Sequence, residues 1–352
     1  LLDAGMVVKA LIVPRPSGRA LSLLIRGVRR AFYRVARSLP TYASRDGLLA
    51  VMEPVALVAQ LAVWILIAVA GFTLVDWGLW GGPFTGDFSE AGSSLFTLGF
   101  TSGHRTEGRV VDFVAAGTGL VLVALQIAYL PTLYNAYNRR ETLVTLLESR
   151  AGAPAWGPEL LIRHQLVAGI HNLPSLFAEW ERWAADVAES HTSYPSLLHL
   201  RSPRSRNSWI VSLVAVMDAA AIYQAVDPHG APIEARMCVR MGFTCLRDIA
   251  QVRGIPFDPD PSPDDPITLP REEFTAAYER LASIGFPTSR TLEEAWPHFR
   301  GWRVNYESVA YSLADSLDAP PARWTGPRRW AGSESLLPVR PVDRQPSGRP
   351  TA

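Results

Sequence analysis

Two stretches of the chain are apolar on every side. Residues 54–75 (PVALVAQLAVWILIAVAGFTLV) and 113–133 (FVAAGTGLVLVALQIAYLPTL) carry no charge, and Gln60 is the strongly polar side chain of the first. A helix crosses hydrocarbon with about 20 mostly apolar residues, and a soluble core helix rarely stays apolar all round for that length. The pattern predicts two transmembrane helices, at about 54–75 and 111–135. Upstream, Leu21, Leu24, Ile25, Val28, Phe32, Val35 and Leu39 recur at helical spacing, while Arg19, Arg26, Arg30, Arg34 and Arg37 fall largely on other faces. This predicts an amphipathic helix, either lying in the inner interface beside anionic headgroups or packed on a cytoplasmic domain. Residues 1–14 are apolar but too short to span. They read equally as the cytoplasmic end of an earlier transmembrane helix or as a surface helix.

From Asn138 onward the pattern turns polar and helical, with elements expected near 158–171, 173–191, 207–226, 231–252, 271–284 and 291–318. The stretch from Trp209 to Val226 is apolar enough to compete as a third span. It is short and holds Asp218 at its middle, which favours a buried cytoplasmic helix with a partner for the carboxylate. From Ala319 the chain is rich in Pro, Arg, Gly and Ser, the composition of a disordered tail. The resulting organisation is an all-α membrane protein: a basic amphipathic region at 1–48, a membrane unit at 49–137, a helical cytoplasmic domain at 138–318 and a tail at 319–352.

Net charge is close to balanced, +1, which gives no reason to expect nucleic acid as a partner. The distribution is more telling than the total. Lys9, Arg15, Arg19, Arg26, Arg29, Arg30, Arg34, Arg37 and Arg45 precede the first span, and Arg139 and Arg140 follow the second. The connecting loop sets Asp76, Asp87, Glu90 and Glu107 against Arg105. The positive-inside rule then puts both ends of the chain in the cytoplasm and the loop outside, in a multi-pass protein of the cell's inner (plasma) membrane. Trp77 and Trp80 fall where the first span should meet the outer interface. Cys238 and Cys245 are the two cysteines; they form no metal motif or disulfide framework and read as small buried hydrophobes.

The loop reads GGPFTGDFSEAGSSLFTLGFTSGHRTEGR. Asp87 or Ser89 is placed to cap a short helix toward Phe96, with Glu90 in its first turn. Thr97-Leu98-Gly99-Phe100-Thr101 follows, within a pore loop at about 86–103. Here the chain resembles the potassium-channel pore family, whose filter typically reads Thr-Val-Gly-Tyr-Gly or Thr-Leu-Gly-Phe-Gly between a short pore helix and an inner helix. The physics fits the resemblance. Irregular backbone at membrane depth is tolerated where it lines a water-filled path. Four copies of such a strand can aim carbonyls at one axis and replace an ion's hydration shell. On this reading Thr97, Leu98, Gly99 and Phe100 supply carbonyls, Thr97 adds its hydroxyl, and Gly99 takes torsions that a Cβ would penalise.

The likeness continues through Ile127–Tyr134 (IAYLPTLY), Arg139-Arg140-Glu141, Leu147–Gly152, Glu179–Trp183 and Ser190–Pro195, and covers roughly residues 1–250. These resemble a bacterial two-transmembrane potassium-channel-type family that joins a pore to a helical cytoplasmic region. The resemblance implies a homotetramer, potassium ions as permeant ligands in the filter, no other cofactor and no enzymatic activity. It also makes Gly119 and Pro131 the candidate hinge or gate of the inner helix, although close helix packing is an equal use for Gly119. Thr101 and Ser102 depart from the family's usual glycine and aspartate. A β-branched residue at positive φ is costly, so a non-selective pore stands as one alternative and a non-conducting membrane-anchored scaffold or sensor as another.

The remaining features read plainly. His164 and His171 lack the further ligands of a metal site. Phe177, Trp180 and Trp183 form a core or interface stripe, and the aspartates between Ile255 and Pro270 lack calcium-loop spacing. No nucleophile elbow, phosphate loop, zinc-binding helix or dinucleotide fingerprint occurs.

Overall fold

The computed structural model describes residues 19–100 and 108–326, with residues 19–22 described by their backbone alone. Every regular element among the described residues is a helix. The chain divides into two compact units, Leu1–Asn135 and Ala136–Ala352.

The first unit begins with α1 (Arg19–Arg37), α2 (Tyr42–Ala50) and α3 (Met52–Trp80). Thr41 caps α2, its hydroxyl accepting the Ser44 N–H at 3.2 Å, as N-cap threonines do. α1 is amphipathic as expected. Arg26, Arg30, Arg34 and Arg37 are exposed along it, whereas Ala36 packs with Leu49 and Met52. Arg29 turns the other way and reaches Glu53 at 2.7 Å, where that carboxylate is buried at the first turn of α3. The pair ties α1 to the foot of α3, because an unpaired buried carboxylate would be costly.

α3 runs past the expected end at 75 and stops before Gly81-Gly82-Pro83. α4 (Phe84–Leu95) packs against it. The expected cap is corrected here: Pro83, not Asp87 or Ser89, precedes the helix. Proline lacks an amide donor that a helix start leaves unused, so it is well tolerated there. Asp76 and Asp87 are buried rather than presented to solvent, a second departure from the picture of an open acidic loop. α5 (Gly108–Ala151) spans the expected 111–135 and continues well beyond it. Nothing between Asn138 and Arg150 breaks a helix, so the switch from apolar to polar sequence changes the helix's surroundings and not its backbone. The division between the units falls inside this helix.

The second unit contains the end of α5, α6 (Gly157–Leu166), α7 (Leu173–Ser193), α8 (Trp209–Val226), α9 (Ile233–Arg253), α10 (Arg271–Ser283), α11 (Leu292–Arg303) and α12 (Glu307–Ser316), with 3₁₀ turns at Ile170–Asn172 and Pro195–His199. α8 is central. Helices α6, α7, α9, α11 and α12 pack around it, and every residue from Trp209 to Val226 is buried. The Asp218 carboxylate in its middle is paired with the buried guanidinium of Arg303 and accepts the Tyr306 hydroxyl at 2.7 Å. Arg303 also donates to Glu307 at 2.9 Å and to the Trp324 carbonyl at 2.6 Å. Burial holds the Tyr306 phenol well above its usual range and the surrounding carboxylates hold Arg303 firmly protonated.

Two expectations are corrected in this unit. The helix predicted at 291–318 is two helices, α11 and α12, separated at Val304–Tyr306. A capping box, in which Thr291 and Glu294 bond each other's backbone, starts α11. The tail expected from Ala319 is packed through Thr325, with Ala319, Ala322, Trp324 and Thr325 buried. Trp324 meets Trp156 edge to face and packs at a tilt against Phe299, contacts that bury a large aromatic area. Residues 327–352 lie outside the described residues.

Three stretches are long and apolar enough to cross a membrane: Tyr42–Trp80, Gly108–Ala151 and Trp209–Val226. Their length and composition are those of a membrane protein. They differ in what covers them. In the most apolar part of the first, 17% of residues are buried, in the second 22%, and in α8 100%.

Candidate functional site

The site residues in the described chain follow α4. Phe96 closes that helix, and the next turn is a Schellman cap. The Thr97 N–H bonds the Ser94 carbonyl at 3.0 Å and the Leu98 N–H bonds the Ser93 carbonyl at 2.8 Å. The Phe100 N–H reaches the Ser93 hydroxyl at 3.2 Å. The amides of Thr97, Leu98 and Phe100 are therefore turned back onto the end of α4. Among the described residues no hydrogen bond ends on the carbonyls of Thr97, Leu98, Gly99 or Phe100. All four residues are exposed, two of them large and apolar.

The backbone is left-handed at two points, Thr97 (φ 55°) and Gly99 (φ 70°). Gly99 adopts this conformation without penalty. Thr97 is β-branched and does not; its conformation costs on the order of 1–3 kcal/mol. A helix cap asks for glycine at this position, and the chain supplies a hydroxyl-bearing residue instead. Thr101 lies outside the described residues, as do Ser102, Arg105 and Glu107.

Gly119, in α5, faces the end of α4. A Cβ there would collide with the Leu95 carbonyl oxygen and stand 2.9 Å from its carbon. The glycine lets the two backbones meet, the use that small residues serve between membrane helices. Near the top of the same interface, Ser94 donates to Asp112 at 2.6 Å. Pro131 lies within α5, and the helix continues on both sides of it. Having no N–H, it leaves the Ile127 carbonyl without its helical donor.

Other sequence features resolve into structure. His164 is buried with Nδ1 2.7 Å from the Leu160 carbonyl, and burial lowers its pKa. His171 is exposed in the turn before α7. Among the described residues no group of three or more His, Cys, Asp or Glu is arranged to hold a metal ion. Trp180 and Trp183 pack ring to ring at 4.6 Å inside the second unit. Cys238 and Cys245 are buried free thiols, and burial raises both pKa values.

Sequence reasoning missed one residue entirely. Arg140 reads as a surface charge flanking a span, like Arg139. Arg139 does stay at the surface, paired with Asp186 at 2.9 Å. Arg140 is fully buried. Its guanidinium bonds Glu141 at 2.8 Å, the Leu197 and Leu200 carbonyls at 2.7 Å each, and Nε2 of His191 at 3.0 Å. The Trp183 indole donates to the Arg140 carbonyl at 3.0 Å. The rings of Tyr137, nearby in sequence, and Trp209, far along the chain, both lie by the guanidinium, and no local pattern marks Arg140 for burial.

No protein family, curated protein or solved structure matches the chain.

Proposed function

We propose that the chain is one subunit of a tetrameric, potassium-channel-like cation channel of the bacterial two-transmembrane type. α3 and α5 are its outer and inner membrane helices and α4 its pore helix, with Thr97–Thr101 as the filter. The observation that carries this reading is the segment after α4, where the Thr97, Leu98 and Phe100 amides are bonded back to the helix while, among the described residues, the carbonyls of 97–100 accept no hydrogen bond. Unpaired carbonyls on irregular backbone are tolerated at membrane depth where they line a water-filled path, and four copies facing one another would make a good cation ligand. The left-handed strain at Thr97 is of the kind stored at functional sites, and its hydroxyl adds an inner ring of oxygens. The carbonyl end of α4, at Leu95, carries the negative pole of a helix dipole, which favours a cation beside it.

In this assembly potassium is the permeant ion held in the filter, and no other cofactor or catalytic step is needed. The exposed arginines of α1 meet anionic lipid at the inner leaflet, and both ends of the chain are cytoplasmic. The helical second unit joins the subunits and bears on gating. Thr101, where the family has glycine, keeps a non-selective cation pore as the second reading.

A pore segment between two spans cannot enclose an ion alone, so oligomeric state is the first test. Native mass spectrometry from mild detergent is expected to give four copies. A monomer or dimer contradicts the proposal and favours the membrane-anchored scaffold.

A further inference from the structure

The buried side chains around Arg140 form a device that the pore reading does not use. A guanidinium has donors and no acceptor. The 3.0 Å contact between Arg140 and Nε2 of His191 therefore requires a bare Nε2, with the ring's proton on Nδ1. Nδ1 lies 3.0 Å from the Ser190 hydroxyl, and that hydroxyl donates onward to the Asp186 carbonyl at 2.6 Å. The ring is thus held as one neutral tautomer. Through it and the Leu197 and Leu200 carbonyls, Arg140 fastens the last turns of α5 to α7 and to the 3₁₀ turn that follows α7.

We propose that Arg140 and His191 form a proton-releasable clamp, which holds the end of α5 in the bundle while His191 is neutral and lets it go when the ring takes up a proton. A proton on Nε2 would face the guanidinium's own N–H groups, removing an acceptor and setting two cations together in a dry pocket. A backbone hydrogen bond to Val187 favours the charged ring, but burial and the Arg140 charge outweigh it. α5 contributes Glu141, which is already bonded to Arg140. On α7, Asp186 is taken by Arg139 and Glu189 is exposed. The 3₁₀ turn carries His199, held by Arg253 of α9 at 3.1 Å, and Asp248 of α9 is exposed. α8 presents the Trp209 ring, 5.5 Å away. Burial, then the Arg140 charge, press the ring's pKa well below its ordinary value.

The sign follows from linkage. Freed of the clamp, the ring titrates near its ordinary value of about 6.5; within the clamp it titrates far lower. The clamp is at full strength above about pH 6.5 and weakens about tenfold per pH unit below it, down to the depressed pKa of the clamped ring. Release of the clamp is independent of conduction. That it frees the inner helix to gate rests on the pore reading.

The test is hydrogen exchange of the full-length protein in detergent, corrected for intrinsic rates, over Ala136–Ala151. The opening constant should rise about 15-fold from pH 6.5 to pH 5.0 and stay within about twofold in His191→Gln, whose amide bonds both neighbours without titrating. A flat wild-type profile overturns the clamp, as does an equal rise in the variant. Loss of protection spreading at the same pH through Trp209–Val226 marks global acid unfolding and also overturns it. A check that needs no variant is ¹⁵N-histidine NMR at neutral pH: a bare Nε2 on His191 is required, and an Nε2–H or charged ring refutes the proposal. None of these readouts depends on ion flux, so a failed clamp and a failed pore are distinguishable.

Discussion

Helices α3 and α8 are both apolar on all sides, yet their surroundings have little in common. α3 leaves Val58, Leu66, Leu74 and Leu79 open. α8 is covered along its whole length by neighbouring helices of its own unit. The one carboxylate at the middle of α8 is met by an arginine and a tyrosine, whereas the interior of α3 between Pro54 and Val75 holds no charge. Uniform apolarity therefore says that a helix avoids water and leaves open what excludes it. In α8 the answer is protein. α3 is largely uncovered by the other described residues, and the exposed Phe113, Leu120 and Ile127 leave α5 in the same position.

The comparison breaks most severely at Arg303. Replacing it by Met strips the buried Asp218 and Glu307 of their counter-charge. Removing one partner of a buried pair costs about 3–5 kcal/mol, so unfolding of the second unit, followed by thermal or denaturant melting, should move far toward milder conditions. Asp218→Asn added to Arg303→Met should restore part of the loss, because the amide carries no charge to strand. Full stability of Arg303→Met alone would mean that α8 is not held by this network.

In the first unit the corresponding weak point is backbone against backbone. Gly119→Ala puts a methyl group onto the Leu95 carbonyl, which cannot swing aside as a side chain could. Overpacking of this kind costs about 1–3 kcal/mol. Melting of the first unit should show the loss while the second unit is unchanged. If Gly119→Ala is neutral, the close approach of α4 and α5 is not a requirement of the fold.

The smallest effect concerns the strain at Thr97. Thr97→Gly relieves a left-handed penalty of about 1–2 kcal/mol but brings glycine's greater freedom when unfolded, about 0.5–1 kcal/mol. A net stabilisation of about 0.5 kcal/mol is expected in the same melting experiment. A destabilised Thr97→Gly would show that the threonine side chain contributes more than its backbone conformation costs.

Much of this architecture is legible in the sequence because it is local. Long uncharged runs mark α3 and α5, and the amphipathic repeat marks α1. The polar–apolar rhythm after Asn138 locates the helices of the second unit to within a few residues in most cases. What is not legible depends on distant partners. Asp218 meets Arg303 across 85 positions of sequence, and no local pattern announces the pair. Arg140 looks like any flanking charge until the turn at Pro195–His199 folds over it. The segment Ala319–Thr325 has the composition of a tail and is packed because Trp324 finds Phe299 and Trp156. At the site, the motif locates the turn after α4. The bonds that turn the Thr97, Leu98 and Phe100 amides back onto α4, and the collision that reserves position 119 for glycine, emerge only from three-dimensional geometry.

The central claim is that the turn Thr97–Phe100 conducts ions through its carbonyls, and flux reports on this most directly. Purified protein in liposomes should carry potassium in preference to sodium. Gly99→Val, which forces a β-branched residue into a left-handed backbone, should abolish the flux while the tetramer persists. Equal potassium and sodium flux, lost in the same variant, would leave the pore in place and assign the lack of discrimination to Thr101. Flux that survives Gly99→Val, or a tetramer silent across pH, voltage and ligand conditions, would contradict the account.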